Sequence, residues 1–153
     1  MALIINEEQK MLKDSAKEFL NLKSPLSLMR ELRDDNFRPY KKELWTEMVE
    51  MGWTALIIPE KYNGLNFGYV GLGQVLEETG RKLTVSPLIS TVLMSTTIIS
   101  LSKNEVLKSN LFKEILNGSK LLTIAHEEGV SHNSEILDSL ISKVGDTFIL
   151  NGK

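Results

Sequence analysis

The sequence predicts a mainly α-helical domain of six helices that runs on into the first strands of a second, β-type domain. Three observations predict it. From Asn6 to Gly118 apolar residues recur at helical spacing, in runs bounded by recognisable start and stop residues. After Gly118 the period shortens to that of strands. Gly145-Asp146 then separates two apolar runs as a two-residue hairpin turn. Helices first and strands last point to two domains, here divided as 1–119 and 120–153.

Each element has its own signal. Asn6-Glu7-Glu8-Gln9 is a capped helix start, with Asn6 as N-cap and Gln9 completing a capping box. Leu12, Ala16, Phe19 and Leu20 follow on one face. Ser24-Pro25 reads as a second start, N-cap then Pro at the first helical position. A third helix is expected over 40–51, burying Leu44, Trp45, Met48 and Met51, with Gly52 just past its end. The apolar run 53–58 lacks helical spacing, and Pro59, Asn63, Gly64 and Gly68 mark an ordered loop. The fourth helix, over 69–79, presents Leu72, Val75, Leu76 and Thr79, is closed by Gly80, and carries Glu77 and Arg81 one turn apart.

Pro87 opens the fifth helix, which is apolar around most of its circumference and is therefore expected in the middle of the bundle. Its polar members are nearly all Ser or Thr, which can bond back to the preceding turn. Ser102-Lys103-Asn104-Glu105 reads as a capping box for the sixth helix, whose buried face is Leu107, Leu111, Phe112, Ile115 and Leu116 and whose stop is Gly118. Strands are expected at 121–125, 136–144 and 147–150.

Composition narrows the function. The chain has 153 residues, enough to bury roughly 70% of its unfolded surface without covalent staples. It has no cysteine, which removes disulfides, thiolate metal sites and cysteine nucleophiles and fits a reducing compartment. Net charge is −2 with both signs interspersed, so no basic stripe exists to neutralise phosphates and nucleic acid is not expected as a partner. The start of the chain has no signal-peptide character. The longest apolar segment, 87–101, is too short and too rich in hydroxyls to span a bilayer. No membrane association and a cytoplasmic location are expected.

Several motifs resolve to structural roles. Gly71-Leu72-Gly73 follows no strand and lacks the third glycine of a dinucleotide fingerprint, so the glycines are assigned to close helix packing. His126-Glu127-Glu128 looks like half of a zinc-protease motif, but the next histidine, His132, is six residues on rather than four. No nucleophile-elbow pattern is present. Trp45 and Trp53 are assigned to packing. The hydroxyls of the fifth helix either satisfy themselves or line a cavity, the first being preferred.

Read together, several stretches resemble the N-terminal half of acyl-CoA dehydrogenases. They are Glu7-Glu8-Gln9 with Asp14-Ser15-Ala16-Lys17-Glu18-Phe19-Leu20; Glu43-Leu44-Trp45 and Met51-Gly52-Trp53; Ile58-Pro59-Glu60-Lys61-Tyr62-Asn63-Gly64-Leu65; Leu76-Glu77-Glu78-Thr79-Gly80-Arg81; Ser86-Pro87; Gly118-Ser119-Lys120; and Phe148-Ile149-Leu150-Asn151-Gly152-Lys153. The resemblance implies three domains in the complete protein: helical, β-barrel and four-helix bundle. This chain would supply the first and the start of the second, and would not be a complete enzyme. The implied chemistry is α,β-dehydrogenation of an acyl-CoA thioester in fatty acid metabolism. A carboxylate removes the α-proton and FAD takes the β-hydride, and base and flavin must enclose the reacting bond in a dry cleft.

Site residues follow from the resemblance alone. The family's flavin-contacting stretch would fall at His126-Glu127-Glu128 and Ser131-His132, where His stands for the family's threonine and Ser-His for its Gly-Ser pair. By position Thr123, Ala125 and His126 would face the flavin ring, and Ser131 and His132 its edge or the thioester. Leu88, Thr91 and Ser95 would line the acyl-chain cavity. No catalytic base is assigned, because the family's glutamate belongs to the C-terminal bundle. The implied partners are acyl-CoA, an electron-transfer flavoprotein and further copies of the chain. The competing reading is a non-catalytic interaction or oligomerisation module built on the same scaffold.

Overall fold

A computed structural model describes residues 4–35, 39–125, 128 and 138–152. The chain forms two compact units, Met1–Thr123 and Ile124–Lys153.

The first unit contains six α-helices among the described residues: α1 (Glu7–Lys23), α2 (Leu26–Asp34), α3 (Lys42–Glu50), α4 (Gly68–Arg81), α5 (Thr96–Leu101) and α6 (Glu105–Leu116). A π-helix, Leu88–Ser95, runs directly into α5. The α1 start forms as expected: the Asn6 side chain accepts from Gln9 N at 2.8 Å, and the Gln9 side chain accepts from Asn6 N at 3.0 Å. α1 packs along α4, and Lys13 joins them by pairing with Glu77 at 2.5 Å. The main core gathers Ala16 and Leu20 of α1, Leu28 and Leu32 of α2, and Leu44, Trp45 and Met48 of α3, closed by Leu72 and Val75 of α4. Trp53, Leu56, Ile57, Leu88 and Val92 complete it. A second cluster of Ile58, Ile99, Phe112 and Ile115 seats α6.

The run 53–58 is buried although it forms neither an α-helix nor a strand. Two 3₁₀ turns, Trp53–Ala55 and Glu60–Tyr62, fold it back on itself. Leu65 N, Asn66 N and Phe67 N donate to the carbonyls of Ala55, Ile58 and Leu56 at 2.9, 3.0 and 2.7 Å. Buried backbone must find partners, and this loop finds them internally.

Several local expectations are corrected. Ser24 does not cap α2. Its hydroxyl is buried and shares a hydrogen bond with Thr84 Oγ1 at 2.8 Å, while Pro25 occupies the cap position with no side-chain bond. At α6 the cap is Asn104, accepting from Leu107 N at 3.0 Å, and Ser102 supports it by accepting from Asn104 N. Met51 is exposed because α3 ends one residue earlier and Gly52 turns the chain at φ +76°. α4 runs past Gly80 to Arg81, and the left-handed turn falls on Leu83, at φ +50°.

The segment from Pro87 to Leu101 is not buried all round. Leu88, Thr91, Val92, Ser95, Thr96 and Ile99 face inward, while Ile89, Met94, Ile98 and Leu101 are exposed. The buried hydroxyls are satisfied on carbonyls, Ser95 on Ser90 O at 2.7 Å and Thr96 on Thr91 O at 3.1 Å. Both reach back five residues, the step of a π-helix.

The stretch 121–125 forms no strand. In the second unit, β1 (Leu140–Val144) pairs antiparallel with β2 (Thr147–Asn151), and Val144 faces Thr147 across the Gly145-Asp146 turn. Gly145 takes the positive φ, +63°, that this turn demands. Both faces of the hairpin are exposed. Glu128 accepts hydrogen bonds from Asp138 N, Ser139 N and Ser139 Oγ.

Candidate functional site

A pocket of about 320 Å³, uncharged among its described residues, opens in the first unit. Pro39 and Tyr40, ahead of α3, form one wall. Ser86, Pro87 and Ser90, at the mouth of the π-helix, form the second, and Leu121, Leu122 and Thr123 the third. Two prolines and two leucines supply apolar surface, and Tyr40, Ser86, Ser90 and Thr123 bring hydroxyls. None of the described lining residues carries a charge. This is the composition of a site for a mainly hydrocarbon ligand with a few polar anchors.

The walls are held by backbone-directed bonds. Ser90 Oγ donates to Pro87 O at 3.3 Å, and Thr91 N to Pro87 O at 2.8 Å. Thr91 is fully buried, and its hydroxyl donates to Leu122 O and accepts from Leu122 N, both at 3.0 Å. Further along, Thr54 Oγ1 donates to Leu116 O at 3.0 Å and Trp45 Nε1 to Gly118 O at 3.2 Å. Three buried side chains of the bundle therefore fix the course of the chain from 116 to 122.

The sequence-derived acyl-cavity residues Leu88, Thr91 and Ser95 all lie on the inner face of the π-helix and are buried. Their neighbours Pro87 and Ser90, rather than they, line the pocket. Among the described flavin-facing candidates, Thr123 and Ala125 are exposed and Thr123 lines the pocket. His126, Ser131 and His132 lie outside the described residues. Tyr40 and Ser90 carried no recognisable motif. Ser86-Pro87 carried one only as part of a family-like run. A pocket wall assembled from three distant segments leaves no local spacing to detect.

The most strongly perturbed carboxylate lies elsewhere. Glu105, at the start of α6, receives the Tyr62 hydroxyl at 2.5 Å, Lys108 Nζ at 2.9 Å and Lys61 Nζ at 3.1 Å. These donors, Tyr62 first, hold its pKa down to about 2. Such a group stays ionised and serves as an anchor rather than as a base. Glu77 is likewise held below the usual carboxylate range by Lys13 and Arg81. Among the described residues no cluster could hold a metal ion, and no helix is long and apolar enough to cross a membrane.

Comparison with known proteins gives concordant matches. The sequence model described as acyl-CoA dehydrogenase, N-terminal domain, matches residues 6–119. Acyl-CoA dehydrogenase IpdE2 of Mycolicibacterium smegmatis is 26% identical over 144 residues, which are 94% of this chain and 44% of that protein. Among solved structures, the ChsE4-ChsE5 complex from Mycobacterium tuberculosis contains a chain that superposes with a TM-score of 0.83 at 20% identity, covering 99% of this chain and 40% of that one. Butyryl-CoA dehydrogenase from Megasphaera elsdenii superposes with a TM-score of 0.78 at 22% identity, over 99% of this chain and 41% of its own. At those identities the two structures establish the fold. The chain spans less than half the length of each of these relatives.

Proposed function

The chain belongs to the acyl-CoA dehydrogenase family through its N-terminal domain, and from that premise we propose that it is the helical part of an FAD-dependent enzyme that dehydrogenates acyl-CoA thioesters between Cα and Cβ. The observation that carries this reading is the pocket between Tyr40, Ser90 and Leu121–Thr123, whose described lining residues are all uncharged. Its apolar lining suits the hydrocarbon of an acyl group and gives no purchase to the phosphates of CoA.

FAD, when bound, supplies the acceptor for the β-hydride. Thr123 and Ala125 fit beside a flat ring in size and charge, being exposed and small. With His126, Ser131 and His132 they are the proposed flavin-facing stretch. Within the pocket, Pro39, Pro87, Leu121 and Leu122 exclude water from the acyl chain, and the Tyr40 and Ser90 hydroxyls orient its polar end. Leu88, Thr91 and Ser95 shape the cavity from behind its wall. An electron-transfer flavoprotein as electron acceptor, and assembly with further copies, complete the proposal.

A second reading is a non-catalytic module that pairs with another subunit. Two features favour it: one structural relative was solved as the ChsE4-ChsE5 complex, and His126 and Ser131-His132 depart from the family's flavin pattern. Calorimetric titration of this chain with octanoyl-CoA and with free CoA separates the two. The enzyme reading expects octanoyl-CoA to bind at least tenfold more tightly than CoA. Ser90→Phe, which fills the pocket, should erase that difference. Octanoyl-CoA binding no better than CoA would remove the acyl site and leave the module reading.

A further inference from the structure

The 121–125 stretch has the sequence pattern of a strand and yet belongs to no sheet. Something other than a neighbouring strand must set its course. In a sheet, one residue's N–H and C=O both bond to the partner backbone. At Leu122 both groups bond instead to a single side-chain oxygen. Leu122 N donates to Thr91 Oγ1 and Leu122 O accepts from it, each at 3.0 Å.

We propose that Thr91 is the positioning residue of the pocket, its hydroxyl standing in for a strand partner and holding the Leu121–Thr123 wall against the π-helix. The proposal rests on the reading of this pocket as an acyl site.

The surrounding geometry supports that role. Thr91 is fully buried, so its hydroxyl has no exchange with bulk water and both bonds are made to one residue. Its own backbone is tied on both sides: Thr91 N donates to Pro87 O at 2.8 Å, and Thr91 O accepts from Thr96 Oγ1 at 3.1 Å. Pro87 and Ser90 on one side of the clasp, and Leu121, Leu122 and Thr123 on the other, are all pocket residues. Loosening the clasp therefore changes the separation of two walls without removing any lining atom. Threonine suits the task because its hydroxyl both donates and accepts. Its branched β-carbon also limits the side chain to few rotamers. Valine has the same shape and can do neither half of the bonding.

The test is residue-resolved amide hydrogen exchange on the 153-residue chain, with octanoyl-CoA titration beside it. In the wild type, Leu122 N–H should exchange at least tenfold more slowly than the amide of exposed Thr123, although it lies in no strand. Thr91→Val should speed Leu122 exchange at least tenfold while amides in α1 and α4 keep their rates, and should weaken octanoyl-CoA binding several-fold. Thr91→Ser, which keeps the hydroxyl, should restore both to within about twofold. Equal exchange at Leu122 and Thr123 in the wild type overturns the proposal even where the valine variant fails to fold. So does a valine variant in which Leu122 stays protected. Failure of the wild type to bind octanoyl-CoA, with the exchange pattern as expected, refutes the acyl reading and leaves the clasp standing.

Discussion

Glu105 is exposed, yet its carboxylate gathers three donors from two segments. Tyr62 and Lys61 come from the second 3₁₀ turn, and Lys108 from the next turn of α6. The Tyr62 ring also packs on Phe112, 5.0 Å between centroids, so the ion cluster sits over the second core. Because its folded-state pKa is lowered, from 4.5 to about 2, the ionised form is the one that folding favours. The contribution is complete above about pH 4.5 and disappears as pH falls through about 2. Glu105→Gln should therefore lower Tm by a constant amount above about pH 5, and the gap to wild type should close between pH 4.5 and 2. Thermal unfolding across that range decides the matter, and a gap that persists at pH 2 would assign the effect to packing. The sequence had shown Glu105 only as part of a cap. Its partners Lys61 and Tyr62 lie more than forty residues away, beyond any local spacing.

The helices show where a periodic pattern succeeds and where it misleads. α1 and α4 could be read directly, because each buries a stripe of small and aliphatic residues, and the one charge α4 buries, Glu78, is paired with Lys13 and Arg81. The segment from Pro87 to Leu101 could not. Counting hydrophobicity made it apolar around most of its circumference and therefore buried on every side. In the fold Thr91, Ser95 and Thr96 are among the most buried residues, and Ile98 and Leu101 are exposed. Hydroxyls that bond to carbonyls five residues back cost little to bury, so hydrophobicity does not rank them correctly. Glycines divide in the same way. A Cβ at Gly64 would fall on the carbonyl of Ile58, and one at Gly71 on the Phe67 ring, whereas nothing stands within 4 Å of Gly73. Packing thus accounts for Gly71 and not for Gly73. Gly64→Ala should destabilise by about 1–3 kcal/mol through overpacking. Gly73→Ala, in a helix interior, should stabilise by about 0.5–1 kcal/mol. Chemical denaturation of the two variants reads both signs, and stabilisation by Gly64→Ala would contradict the loop geometry.

Over the chain as a whole, apolar surface is left uncovered in both units. Ile89, Met94, Ile98 and Leu101 are exposed on the π-helix and α5, and Leu140, Ile141, Phe148, Ile149 and Leu150 on the hairpin. Exposed apolar surface of this extent binds hydrophobic dyes and drives association. The 153-residue chain should enhance ANS fluorescence and sediment with concentration-dependent mass. The pair Ile98→Ser and Leu101→Ser should reduce both. A monodisperse chain that leaves ANS dark would show these side chains to be covered in solution.

What the amino-acid order determined by itself was local in range: the Asn6–Gln9 capping box, the buried faces of α1 and α4, the left-handed turns at Gly52 and Gly118, and the hairpin around Gly145. Each depends on residues within about a turn of one another, where spacing is geometry. The family could also be read, because its motifs recur in order along most of the chain. The tertiary structure alone decided which hydroxyls go inside, that 121–125 is held by a side chain instead of a sheet, and that Pro39, Ser90 and Leu121 meet around one pocket. The last two outcomes depend on contacts between segments thirty or more residues apart. The free energy of such contacts comes from satisfying buried polar groups in three dimensions, and no periodicity along one dimension records it.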